Sequence, residues 1–345
     1  MHHQSDRLCG ISCETGKSKE HWEHTRMALD GTDWIRLRRP LTDIEKEREL
    51  KVAQPQDVEP DDHFSVFSMN ETFLETTDTH FHSRGVLSWG GLAVVVMGGL
   101  IAYGAADNLT VTPEHVDATE LAIGRFFMGL FVLGGLVILG IGLWLLSQEM
   151  FTWSRRPIRF NRQSAMIYAY RGAPGKEVIA VPWKQAFFFI QEGRDSMTRA
   201  FIYSIRCHVL DEAHMIIQTF SIGNPVISAY RDDTDTGRAL ASRVKAEFEF
   251  IRQYMENGPA GLTHSELVPS TVSVRSSMRL WLHDRKALKA EKNSVASIMA
   301  VAMVPLAILY GTLNYIGRLT SREPRWPPMV DEDCKSTQGV TSTSD

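Results

Sequence analysis

Two long apolar runs, Val86–Ala106 and Leu121–Ser147, are joined by a loop without a single lysine or arginine. A bilayer core is about 30 Å thick and takes about 20 apolar residues as a helix, and both runs reach that length. The first run carries no charge. The second carries Arg125 near its start, where a long side chain can reach the interface. Trp89, Tyr103, Trp144 and Trp153 lie near the ends, as interfacial aromatics do. Gly98, Gly99, Gly129, Gly134, Gly135, Gly140 and Gly142 sit inside the runs. In a water-soluble helix such glycines cost stability, whereas between membrane helices they let two backbones approach closely. The expectation is a transmembrane hairpin over 85–148, with helices at about 86–106 and 121–147.

Charge asymmetry gives the hairpin a direction. The loop Asp107–Glu120 holds Asp107, Glu114, Asp117 and Glu120, while Arg84 and the group Arg155, Arg156, Arg159 and Arg162 flank the runs. Positively charged flanks stay in the cytoplasm, so the acidic loop faces out and the rest faces in. A third apolar run, Val295–Gly317, has Pro305 in its middle and basic residues on both sides. The expectation is a third membrane helix, with the polar tail 318–345 outside. A re-entrant segment would leave that tail inside. The first 84 residues hold no signal-peptide pattern, so the first run itself is expected to direct insertion.

The polar remainder is long enough for one domain plus tails. Net charge is −4, which gives no global attraction to nucleic acid. Four scattered cysteines, Cys9, Cys13, Cys207 and Cys334, suit a reducing compartment, and Cys9-x-x-x-Cys13 lacks the spacing of a redox or zinc pair.

Residues 1–62 read as a polar, partly disordered arm. Within it Thr42-Asp-Ile-Glu45 has capping-box spacing and opens a short helix to about Leu50. Residues 63–84, with Phe64, Val66, Phe73 and Phe81, read as an extended segment packing on a later domain. That domain covers 153–270. Ile158 and Phe160, then Met166, Tyr168 and Tyr170, then Phe201, Tyr203, Ile205, Cys207 and Val209 alternate as strand residues do. Asn224-Pro225 breaks the pattern, and a helix over 236–257 follows, with Leu240, Val244, Phe248, Ile251 and Met255 as its apolar stripe. Antiparallel strands closed by one long helix are the layout of a pleckstrin-homology-like domain. A basic juxtamembrane helix is expected over 276–292. The fold class is therefore an α+β membrane protein.

Motifs that could carry chemistry are few. Arg171-Gly-Ala-Pro-Gly-Lys176-Glu177 has the look of a phosphate loop, but Tyr170 stands where its first glycine belongs and Glu177 where a Mg²⁺-binding hydroxyl belongs, so it reads as a hairpin turn. Cys207 and His208 are neighbours in a strand, point to opposite faces and cannot form a nucleophile–base pair. Asp78, His80 and His82, with His63, are a conceivable metal group. A solvated polar face is the commoner meaning, so no metal, cofactor or catalytic residue is assigned.

Arg155-Arg-Pro-Ile-Arg-Phe-Asn-Arg162, Ile167-Tyr-Ala-Tyr-Arg171, Val181-Pro-Trp183 and the ending Thr320-Ser-Arg-Glu-Pro-Arg-Trp-Pro327 resemble a family of proteobacterial inner-membrane proteins met among genes of type VI secretion and its toxins. The likeness runs over most of 65–328. It implies an immunity or accessory protein that works by binding a protein partner. The expectation is thus a non-enzymatic module in the bacterial inner membrane, crossing it more than once, with its main domain in the cytoplasm. The alternative is a subunit of a small channel or transporter, which with two or three helices would need several copies to form a pathway.

Overall fold

The computed structural model describes residues 37–83, 86–111, 117–173, 176–195, 199–262, 267–280, 301–302 and 304–335. The first 36 residues with Cys9 and Cys13, Arg84, Glu114 in the acidic loop, most of the basic stretch 276–292, the start of the third apolar run and the last ten residues lie outside these.

Two antiparallel sheets form the soluble body. Strands β2 (Val66–Met69), β3 (Phe73–Thr76), β4 (Ile158–Asn161), β5 (Met166–Ala173) and β6 (Lys176–Pro182) make one sheet in that spatial order. The other has the order β1-β7-β8-β9, with β1 at Glu49–Leu50, β7 at Phe187–Arg194, β8 at Phe201–Leu210 and β9 at Ile216–Ser228. Alternating residues of both sheets meet in one core that includes Leu74, Phe160, Ile167, Trp183, Phe188, Ile205, Cys207 and Phe220. Short helices α1 (Asp43–Glu47), α2 (His80–Ser83) and α7 (Pro328–Asp333) lie along the connecting chain.

Helix α5 (Asp235–Asn257) closes this core with Val244, Phe248, Ile251 and Met255, the expected stripe, while Leu240 is partly buried against it. Thr234 caps its start by accepting from the Gly237 N–H, and Gly258, at φ 79°, ends it. Strand β9 does not stop at Asn224-Pro225 as the sequence pattern suggests. Gly223 takes φ 70°, and the register with β8 shifts between Tyr203 and Ile205. A bulge absorbs the proline, which has no N–H to give a ladder.

The apolar runs form helices α3 (Val86–Thr110) and α4 (Ala118–Glu149), of 25 and 32 residues. At 1.5 Å per residue these are about 38 and 48 Å long, so both are long and apolar enough to cross a membrane. They are not appended to the domain but inserted in it. Strand β3 pairs with β4, from Phe73↔Asn161 to Thr76↔Ile158, and the whole hairpin is the connection between these neighbours. Glycines make the two helices close. A Cβ on Gly98 would stand 2.5 Å from Leu139 N, one on Gly135 2.6 Å from Ala102 N, and one on Gly142 2.6 Å from Val95 N. Gly129, Gly134 and Gly140 meet nothing within 4 Å.

The described stretches nearest both ends pack on the sheets. The described part of the N-terminal arm is built into the domain rather than loose. Its helix α1 has the full capping box at Thr42 and Glu45, but it ends before Glu49 and Leu50, which pair with Phe189 and Phe188 of β7. At the other end, helix α6 (Val304–Leu319) comes down beside α3, and the chain after it lies on the domain. Arg322 N donates to Thr152 O, and Ser154 N to Arg322 O, each at 2.8 Å. Asp333 Oδ2 accepts from Asn161, Ser164 and Tyr168. These bonds set residues 320–334 on one body with both sheets. The third membrane helix is not confirmed: among the described residues the helices long and apolar enough to cross a membrane are α3 and α4.

Candidate functional site at the root of the hairpin

The chain enters the hairpin through Thr76–Ser83, where Thr77 O accepts from Gly223 N of β9, and leaves it through Phe151–Pro157. Tyr170 N donates to Pro157 O, and Ile158 pairs with Ala169. Continuing that antiparallel register places Arg156 opposite Arg171. Arg171 is partly buried, donates to Thr219 O of β9 and lies over the Phe220 ring at 5.9 Å. Burial, with the Arg156 and Arg206 charges nearby, lowers its pKa to about 10; Asp78 is the carboxylate that opposes this. Arg206 pairs in register with Ser221, whose hydroxyl is 2.7 Å from that of Thr79. Arg155 stacks over Phe67 at 5.0 Å, and its Nε and Nη1 are buried with no hydrogen-bond partner in the protein. The hydroxyls of Thr76 and Thr77, residues with no exposed surface, are in the same condition. Arg156, Arg171 and Arg206, from three separate parts of the chain, thus lie near one another with Asp78 beside them.

Aromatic rings brace the root. Trp153 meets Tyr170 at 5.3 Å and Tyr170 meets Trp326 of the tail at 5.6 Å, both edge-on. Arg159 lies over Phe73 and Trp326 and bonds Glu75 Oε2 at 2.6 Å. Arg318, 2% exposed at the end of α6, donates to the carbonyls of Pro269, Ser270 and Thr271 and covers the Phe81 ring.

The residues singled out by sequence are scattered. Among the described residues no group of three or more His, Cys, Asp and Glu side chains gathers as metal ligands. His63 pairs with Asp61 at 3.3 Å, and burial lowers its pKa. His80 begins α2, Asp78 lies near Arg171, and the His82 side chain lies outside the described residues. Cys207 is in the core, where burial pushes its thiol well up. His208 faces away from it, as expected, and is buried all the same. The arm covers it: Nε2 is 3.3 Å from Glu45 Oε1 and Nδ1 3.0 Å from Thr219 Oγ1. Burial lowers the His208 pKa to about 4. The stretch read as a failed phosphate loop joins β5 and β6, with Ala173 opposite Lys176.

Sequence reading took Arg155 and Arg156 as flanking charge and passed over Arg206. The signal available was register: a turn at Asn161–Ser164 between β4 and β5 sets Arg156 and Arg171 face to face. No curated protein and no solved structure matches the chain. A model described as a family of unknown function (DUF6708) matches residues 136–338, which run from within α4 through all of β4–β9, α5, α6 and the docked tail. That match spans more than half of the chain, and the protein belongs to this family.

Proposed function

We propose that the protein is a non-enzymatic interaction module anchored in the bacterial inner membrane by its hairpin, with the sheet domain, arm and tail in the cytoplasm. One observation carries the reading. Large apolar side chains of α3 and α4 face outward: Leu100, Phe126, Phe131, Leu133, Leu136, Val137 and Trp144 are each more than half exposed. A soluble protein does not leave so continuous an apolar surface to water, and lipid is the solvent that suits it. Arginines at the root and the acidic loop at the tip agree with a cytoplasmic root. Because both flanks of the third apolar run sit on the domain, this run is re-entrant or interfacial in this reading. Two antiparallel sheets closed by a C-terminal helix keep the pleckstrin-homology-like layout as the scaffold proposed for partner binding. Cys207 and His208, the residues closest in kind to a catalytic pair, are committed to the core and to the arm. The partner class, a toxin or secretion component, rests on the motif resemblance alone.

Extraction of bacterial membranes with alkaline carbonate tests the anchor. The full chain is expected to stay in the pellet, and a soluble monomer in the supernatant would end the reading. Reporter fusions after Asp345 and within 112–116 are expected to report opposite faces. Affinity capture with and without a neighbouring toxin tests the partner, which must be recovered specifically with the wild-type chain. A second reading, a subunit of an oligomeric channel, is favoured by the glycines of α4 with open space beside them. Ion flux through reconstituted liposomes decides it, and no flux in any oligomeric state removes it.

A further inference from the structure

We propose that the Asp61–Ser65 turn is a pH-sensitive latch on the chain that enters the hairpin, closed while the Glu247 carboxyl carries a proton and opened when that proton leaves. The turn joins the arm to β2. Asp61 N donates to Ala246 O of α5, and Ser65 N donates to Asp62 O. Two further links reach the entry segment Thr76–Ser83. Ser65 O accepts from Thr77 N at 2.8 Å, and Phe64 shares a small buried apolar cluster with Phe81 of α2. Thr77 O in turn accepts from Gly223 N at the β9 bulge. One turn thus ties α5, β9 and the start of the hairpin together.

The turn is strained. His63 and Phe64 stand at φ 44° and 56°, in the left-handed region that side chains disfavour. Two such residues in a row persist only where their surroundings fix them. Asn224 does so here, donating from Nδ2 to the His63 and Phe64 carbonyls at 2.7 and 3.2 Å. The backbone of the same residue holds Glu247: Asn224 N donates to Glu247 Oε1 at 3.3 Å, and Gly223 leaves the room that the carboxyl group fills.

The hydrogen bonds call for a neutral carboxyl. The Ser65 hydroxyl has one proton and gives it to Asp62 O at 2.7 Å, so toward Glu247, its other partner, it can only accept. That bond needs a protonated Glu247. The nearby charges agree, since Asp62 and Asp61 both disfavour a carboxylate there. His63, bonded to the Arg243 backbone and paired with Asp61, has its pKa lowered by burial, so it stays uncharged as Glu247 titrates. Once Glu247 ionises, the Ser65 hydroxyl must swing to the carboxylate and give up Asp62 O. The buried charge also gains by reaching water. Both changes free the turn, and its strain favours the open form. Burial sets the Glu247 pKa at about 8.

Hydrogen exchange of the full chain in detergent, read between pH 5 and 9 and corrected for the intrinsic rate, tests the latch. The amides of Ser65, Thr77 and Gly223 are expected to exchange faster than Ile205 of the core, because the turn opens without the rest. With an ordinary carboxyl pKa in the open form, their opening is expected to rise about tenfold per pH unit up to about pH 8 and then to level off. Glu247→Gln still donates to Ser65 and cannot ionise, and its profile is expected to be flat. His63→Gly removes strain and leaves Glu247 alone. It is expected to slow opening about fivefold at every pH, from the low end of what one such residue stores, with the rise kept. A flat wild-type profile, a rise that Glu247→Gln retains, or turn amides that exchange only at the Ile205 rate overturns the latch. Opening of His63→Gly at the wild-type rate or faster overturns the strained turn. The membrane reading is not used here, so a chain that leaves the membrane in carbonate keeps this prediction intact.

Discussion

In the sheet domain, Phe160, Phe188, Phe220 and Phe248 are at most 2% exposed, while in the hairpin Phe126 and Phe131 are 65% and 57% exposed. The same residue type is thus placed inside one region and outside the other. The interiors differ in the complementary way. The domain core is filled by aromatic rings, with Trp183 between Phe188 at 5.2 Å and Phe248 at 6.3 Å. The seam of the hairpin is filled by backbone, brought together at Gly98, Gly135 and Gly142. Burying large side chains away from water holds the first together. The second gains from close contact between helices and has no use for large side chains inside. The proposed anchor gives the two regions two solvents, although the hairpin is only the connection between the paired strands β3 and β4.

Truncating one ring in each region gives the largest contrast. Phe248→Ala opens a hole under Trp183 and Phe188 and is expected to cost about 3–5 kcal/mol. Phe131→Ala removes a ring that is 57% exposed and is expected to change stability by less than about 0.5 kcal/mol in detergent. Chemical denaturation followed by far-UV dichroism reads both. Comparable losses would mean that Phe131 is packed against protein, and the distinction between the regions would fall.

The domain also buries charge in a way that the hairpin does not. Glu247 of α5 is 1% exposed, in a space left by Gly223, where an added Cβ would collide with the carboxyl group. Burial raises its pKa to about 8; Asn224 N–H and Ser65 oppose the rise, while Asp62 and Asp61 add to it. A raised carboxyl pKa means that the folded state holds a proton which the unfolded state releases. Its contribution is therefore present below about pH 4.5 and is lost as pH rises to about 8. Glu247→Gln keeps the shape without the titration. The wild type is expected to fall behind this variant between pH 5 and 9, by a few kcal/mol at the alkaline end, at about 1.4 kcal/mol per pKa unit. Parallel curves over that range would show a carboxylate already ionised.

The hairpin has its own sharp test. Gly135→Val places side-chain atoms where Ala102 N lies 2.6 Å from the new Cβ, and backbone cannot yield as a side chain can. Overpacking of this kind costs about 1–3 kcal/mol. Gly134→Val, one residue away, meets nothing within 4 Å and is the control. The first is expected to lower the unfolding midpoint in detergent and the second to leave it. Equal behaviour would mean that the seam is not the contact that holds α3 to α4.

The hairpin helices, the alternation in β4 and β5 and the stripe of α5 were legible because each is a local, periodic pattern. What was not legible lies at long range. Nothing near Thr76 announces that its partner is Ile158 on the other side of two long helices. Cys207 and His208 show the limit well. Alternation correctly set them on opposite faces, but it could not reveal that the second face is also covered, since the cover is the arm at 37–50. Arg156 has the same history: it reads as flanking charge until the β4–β5 register brings Arg171 opposite and β8 brings Arg206 near. The docked tail likewise overrides local reading, because Arg322 and Asp333 carry no sign of the distant residues, Thr152 and Ser154 or Asn161 and Tyr168, that bond them.

The smallest expected effect belongs to that arm. Thr42 accepts from Glu45 N at 3.3 Å and gives its own N–H to Glu45 Oε2 at 2.8 Å. Burial pushes the Glu45 carboxyl up, but the Arg39 guanidinium and the Thr42 and His208 bonds outweigh it and hold the pKa at about 2. Thr42→Ala removes the cap and is expected to cost about 1 kcal/mol. That loss opens the arm without unfolding the domain, and it should be local. The amides of Ile190 and Ile216, which donate to Arg48 O and Arg39 O of the arm, are expected to exchange with deuterium about five times faster, the factor that 1 kcal/mol sets. Ile205, inside the core, should keep its rate. Acid acts in the same direction. Protonating His208, whose pKa is lowered to about 4, opposes folding as pH falls from 6.5, and Glu45 gives up its contribution from about pH 4.5 toward 2. Wild type at pH 5 should therefore approach the exchange pattern of Thr42→Ala at pH 7, after correction for the intrinsic rate. If Ile205 accelerates together with the other two, the arm is one cooperative unit with the core, and the sheet domain is less divided than its two covered faces suggest.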